Sequence, residues 1–220
     1  MKNIKALLKL DFQLLVPYWK WWLLFLGISL FIGLVNQDGY IFMLSATIFA
    51  GTMMAFPFES TDNSNLNILY ASLPTTRKSM VTARYMFILL TLFAALAVST
   101  VVGLIINLGF GNPITAGLIF PFITLSFALF LVSVGFQTPF MYKYGYVKGK
   151  IFMWIPIVLA TIVLMLPAIF NLFRLDITFN IFEVLLRNPT VTSLISLGVG
   201  IAAIAMSFFL SRKTYLKKDI

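Results

Sequence analysis

The residues best equipped for specific chemistry lie in one polar island, residues 59–84, ESTDNSNLNILYASLPTTRKSMVTAR, in an otherwise greasy chain. That chemistry is recognition, not catalysis. The chain has no His and no Cys, which removes the commonest general base, the commonest metal ligand and any disulfide. No metal site and no catalytic residues are expected. Within the island, Thr61 or Asp62 can cap a helix start, and the acid suits the positive end of the helix dipole. Leu66, Leu69, Tyr70 and Leu73 then recur at i, i+3, i+4 and i+7, the spacing of one apolar helix face. Pro74 pushes Leu73 out of helical geometry and ends the segment. A helix of this kind could lie on a membrane. Asn63, Asn65, Asn67 and the acidic start suit a protein groove better than lipid, which favours Lys and Arg on the polar face. The island reads as a docking site for a partner.

The rest of the chain sets where that site is held. Of 220 residues 60% are hydrophobic and 10% charged, with a mean hydropathy of +0.99. Soluble domains carry about 25% charged residues; this chain cannot cover a soluble globule with polar surface, so its solvent is largely lipid. A spanning helix needs about 20 apolar residues. Six stretches qualify, at 18–35, 40–58, 85–108, 114–142, 151–173 and 191–210. The expected fold is all-α, a single six-span membrane domain covering 1–220. Pro121 and Pro139 in the fourth span, and Pro156 and Pro167 in the fifth, mark expected kinks. Fourteen of the 16 Lys and Arg fall on one side of this layout, and only Arg174 and Arg187 on the other. The bias places both termini, the island and the loop 143–150 in the cytoplasm. The net charge of +9 therefore reads as an orientation signal, and nucleic-acid binding is not expected. A cleaved leader is not expected either, because the first apolar run passes into VNQDGY without a small-residue cleavage site.

Residues 1–16 read as an amphipathic helix in the membrane interface. Lys2, Lys5 and Lys9 share one face with Gln13, while Ile4, Leu7, Leu8, Leu14 and Leu15 take the other. Lys20, among Trp19, Trp21 and Trp22, suits the same surface. Asp11 breaks the pattern by landing in the apolar stripe. A carboxylate there needs a partner, and Arg77 and Arg84 are the candidates; the other reading is a bend before Asp11.

The order Glu59, Asn65, Tyr70-Ala71-Ser72-Leu73-Pro74, Arg77, Val81, Arg84-Tyr85 resembles the permeases of ABC-2 type transporters. The likeness is nearest to small six-span permeases of Gram-positive bacteria, in particular those of the staphylococcal exporter of phenol-soluble modulins. By layout it covers the whole chain, and by motif about residues 56–85. The resemblance implies that the segment after span two, 59–84, is a coupling helix seated in a groove of a separate ABC ATPase subunit. Glu59, Asp62, Asn65, Leu66, Leu69, Tyr70, Leu73, Pro74 and Arg77 would make that contact. It further implies a second permease, either another copy or a sister subunit, and a bacterial cell membrane. The sequence holds no G-x-x-x-x-G-K-[ST] phosphate loop and no acidic pair for magnesium. ATP and Mg2+ would belong to the partner, and this chain would carry no cofactor and no enzyme activity.

No ionisable residue lies in the centre of any span, which counts against proton relays and charge-ring pores. An uncharged path, in a chain with 23 Phe and 10 Met, suits amphipathic peptides first and hydrophobic antibiotics second. The stretch 172–188 reads as a short amphipathic segment in the outer interface, with Glu183 and Arg187 spaced to pair. The competing reading is a stand-alone membrane facilitator, or a scaffold that recruits a cytosolic partner.

Overall fold

The computed structural model describes residues 2–63, 77–172 and 188–216, and no strand occurs among them. The helices are α1 (Lys2–Leu15), α2 (Trp19–Val35), α3 (Gly39–Thr52), α4 (Phe56–Asn63), α5 (Arg77–Phe110), α6 (Ala116–Leu172) and α7 (Pro189–Leu216), with 3-10 turns at Val16–Tyr18 and Met53–Ala55. An all-helical backbone follows from the composition, because hydrocarbon offers no partner for an open N–H or C=O. Among the described residues, 5 helical stretches are long and apolar enough to cross a membrane: Ala6–Val35, Gly39–Asp62, Lys78–Phe110, Ala116–Leu159 and Pro189–Leu216.

The longest helix is a hairpin. Gly145 takes φ 73°, ψ 176° inside α6, and the chain turns back on itself there. Phe140 and Phe152 would stand about 18 Å apart along a straight helix, yet their rings stack at 4.0 Å. Phe136 meets the same ring at 6.4 Å. Pro121, Pro139, Pro156 and Pro167, where kinks were expected, all lie inside helical stretches, and the residue with non-helical angles is Gly145. Proline bends a helix but leaves its direction roughly intact; reversal needs a backbone conformation that glycine enters without steric cost. The expected loop 143–150 thus shrinks to a turn around one residue.

The core sits on the second stretch. Of an 18-residue window within Gly39–Asp62 78% is buried, against 50% or less for such windows in the other four stretches. Helix α3 packs on α2, α5 and α6, and α6 packs most extensively on α7. Small residues let the backbones approach, the usual device where lipid removes the hydrophobic drive between helices. A Cβ on Gly39 would fall 1.8 Å from the carbonyl oxygen of Gly103, one on Gly135 3.1 Å from that of Ala203, and one on Gly200 3.2 Å from the Cα of Ala128. A Cβ on Gly198 would meet nothing within 4 Å, so the close approach on α7 is at Gly200.

Gly103 and Asn107 lie inside α5, and the turn after that helix begins at Gly111 (φ 73°). Asn107 is fully buried, and its Oδ1 accepts from the Gly39 N–H at 2.7 Å. Asn112 Nδ2 donates to the Gln37 carbonyl at 2.6 Å, and the Tyr40 hydroxyl to that of Pro113 at 3.0 Å. These bonds tie the α2–α3 connection to the α5–α6 connection. Gly39→Ala should break this end of the bundle, since the obstacle is backbone that cannot rotate away. A loss of about 1–3 kcal/mol is expected, read as a lower unfolding midpoint in detergent; an unchanged midpoint would refute the close approach.

Candidate functional site

The polar island enters from α4 and leaves through α5, and the structure describes both edges. Helix α4 is a continuation of the second span, reached through the Met53–Ala55 turn. Pro57 has no N–H to donate to that turn. The Gly51 carbonyl, at the end of α3, accepts from Gln137 Nε2 at 2.7 Å, a buried side-chain bond from the first arm of α6. A side chain of a neighbouring span here supports an interrupted helix in the way membrane interiors require.

Thr61 and Asp62, read from the sequence as a helix start, lie in the last turns of α4 instead. Thr61 bonds back to the Pro57 carbonyl at 2.6 Å, which takes its hydroxyl out of any capping role. Asp62 Oδ2 accepts from the Tyr146 backbone N–H at 2.5 Å, so it seals the α6 hairpin beside Gly145. A Cβ on Gly145 would lie 3.0 Å from that same oxygen, so the turn and the acid fit each other closely. Glu59 interacts with the hydroxyls of Tyr18 and Tyr146. Ser60 Oγ donates to the Leu14 carbonyl at 3.2 Å and lies 3.4 Å from the Tyr18 hydroxyl. Glu59, Ser60 and Asp62 are thus each engaged with another element of the same chain.

The exit edge is anchored as firmly. Helix α1 runs unbroken through Asp11, so the alternative of a bend before it does not apply. Leu7, Asp11 and Leu15, spaced i, i+4, i+8, are the buried face. Asp11 Oδ1 lies 3.0 Å from Arg84 Nη2, with side-chain exposures of 5% and 9%. The Arg84 guanidinium also sits 4.7 Å over the Phe58 ring, which meets Tyr142 edge-on at 5.1 Å. Tyr85, next in line, shares its hydroxyl with Ser207 at 2.6 Å and Ser211 at 2.8 Å, both on α7. Asp11, Asp62, Arg84, Tyr142 and Tyr215 line one cavity of about 60 Å³ at this crossing, roomy and polar enough for water.

Of the residues singled out for docking, Glu59 and Asp62 are half-buried and face into the chain, and Arg77 opens α5. Asn65, Leu66, Leu69, Tyr70, Leu73 and Pro74 lie outside the described residues, as does the outer segment 173–187. Lys9 and Lys20 are exposed; Lys2 and Lys5 lie on α1. Sequence reasoning passed over Gly145, Gln137, Tyr142 and the Tyr85–Ser207–Ser211 set. Only the last left a signal, two serines at i, i+4 on one helix face.

No metal-ligating group of three or more residues occurs among the described residues. Neither the curated proteins nor the solved structures gave a match. A family model described as ABC-2 family transporter protein matches residues 6–216. That match supports the family, but not the narrower likeness to the phenol-soluble modulin exporter. Spanning nearly the whole chain, it joins the helices of the bundle to both edges of the polar island, and the chain belongs to the ABC-2 family of membrane transport proteins.

Proposed function

We propose that this chain is the permease subunit of an ABC exporter, powered by a separate ATPase subunit that docks on residues 59–84. The observation carrying the reading is the anchoring of both edges of that segment. Asp62 near its start bonds the α6 hairpin, and Arg84 at its end bonds α1. A displacement imposed on the segment would therefore reach the first span and the hairpin together. If both arms of α6 cross, the chain has six spans and both termini lie on one side, which the Lys and Arg bias makes the cytoplasm. Residues 1–16 would then lie in that interface. A second permease, another copy or a sister chain, would complete the path. The uncharged spans favour amphipathic peptides as cargo, moved outward.

The test is a mild-detergent pull-down of the wild-type chain beside Leu66→Asp, with ATPase activity assayed in the eluate. An ATP-binding protein in near-stoichiometric amount with wild type, reduced at least tenfold with the variant, is the expected result. Absence of any ATPase from both would overturn the proposal in favour of a stand-alone facilitator or scaffold.

A further inference from the structure

Helices α2 and α5 run in the same direction but scarcely touch; a groove separates them. Its wider part, about 740 Å³, lies between Leu15 and Trp19 on one side and Phe87 and Leu90 on the other. It continues past Trp22, Thr91 and Ala94 into a narrower part of about 290 Å³ that ends at Ser29 and Ser99. Ala46 and Ala50 of α3 help form the floor of this second part. From Phe87 to Ser99 the helical rise is about 18 Å, a little more than the roughly 15 Å of one hydrocarbon leaflet.

The lining selects hydrocarbon over water. Its three buried or half-buried hydroxyls bond back into their own helices: Ser29 to the Phe25 carbonyl at 2.9 Å, Thr91 to that of Phe87 at 2.9 Å, and Ser99 to that of Leu96 at 3.2 Å. A water in the groove would find few of the polar partners it needs. The single charge on the lining is Lys9, at the wide end, and no Asp or Glu lines either part among the described residues. Asp11, the nearest acid on that helix, is turned away and paired with Arg84. Trp19 and Trp22, rings that favour headgroup depth, flank the same end.

We infer that this groove is a binding site for one anionic phospholipid, with an acyl chain lying between α2 and α5 and the headgroup phosphate against Lys9. A second copy of the chain would need a complementary ridge and gains nothing from a lone cation beside a dry slot. A lipid matches length, dryness and charge together. The site requires neither the ATPase nor the cargo, so it stands or falls apart from the proposed function.

Native mass spectrometry of the whole chain, released from vesicles of equal phosphatidylglycerol and phosphatidylcholine, tests the site. Wild type should retain one phospholipid, with phosphatidylglycerol favoured about fivefold, the effect of one lysine near the membrane surface. Lys9→Gln should keep a lipid but lose the preference. Ala94→Phe, at an exposed position where the two parts meet, should lose the retained lipid while eluting as a single species. A wild type without retained lipid, or Ala94→Phe with as much as wild type, would overturn the site. So would Lys9→Gln with the preference intact, or a peptide in place of the lipid. Since the chain has no native Cys, Leu90→Cys offers one further check: efficient crosslinking of two chains through that position would assign the groove to a second copy and overturn the lipid.

Discussion

Arg84→Met should lower the stability of the purified chain by about 3–5 kcal/mol, the usual result of stranding one member of a buried ion pair. The Asp11 carboxylate is 5% exposed and lies 3.0 Å from the guanidinium it would lose. The cavity of about 60 Å³ at the crossing holds too little water to replace that counter-charge, so Asp11 must either bind a proton or draw α1 away from α5. Two further contacts go with the arginine: its seat over the Phe58 ring and its place in the wall of the cavity at the crossing. The pair as a whole is worth far less than either charge alone, because both ions were taken out of water to form it. The double variant Asp11→Leu with Arg84→Met should therefore recover most of the loss. Unfolding midpoints in one detergent, followed by tryptophan fluorescence, make the comparison directly. A single variant as stable as wild type would mean that the pair is solvated and that α1 is held by its leucines alone.

The pairing shows what kind of structural information the sequence carries. Asp11 was conspicuous because a charge interrupted a period-3.6 apolar face, and its partner could be narrowed to two arginines on the same side of the membrane. Apolar runs of spanning length were equally plain, because hydrocarbon thickness sets a minimum length that composition must meet. The hairpin was hidden for the opposite reason. In KYGYVKGK two glycines stand four residues apart; only one takes φ 73°, while the other packs against Met141. Nothing local separates them, since the choice depends on which register lets Phe140 stack on Phe152 and brings Asp62 to the Tyr146 N–H. Polar contacts between distant spans were hidden too. Gln137 and the Gly51 carbonyl are 86 residues apart, and a carbonyl freed at a helix irregularity leaves no mark in the side-chain pattern. The acids of the island were legible as important, but not in their direction: a carboxylate next to a docking helix looks the same in sequence whether it faces a partner or its own bundle.

Asp62 is where that ambiguity has the largest functional consequence. Its oxygen holds the Tyr146 N–H at 2.5 Å, and the α6 hairpin pivots one residue away. If the island receives the push of an ATPase, this bond passes it to the arms of α6, which contact α7 and α3. Asp62→Ala should then leave ATPase recovery in the pull-down and ATP hydrolysis within about twofold of wild type. Transport should fall about tenfold or more, in line with losing a hydrogen bond to a charged group and leaving a backbone donor without its partner. Asp62→Asn, which keeps an acceptor oxygen without the charge, should fall between the two. The alternative role, a direct contact with the ATPase, predicts a different pair of results: recovery of the ATPase would drop together with transport, and Asn would rescue neither. The described geometry favours the first outcome, because Asp62 is half-buried and its Oδ2 already holds the hairpin at the Tyr146 N–H.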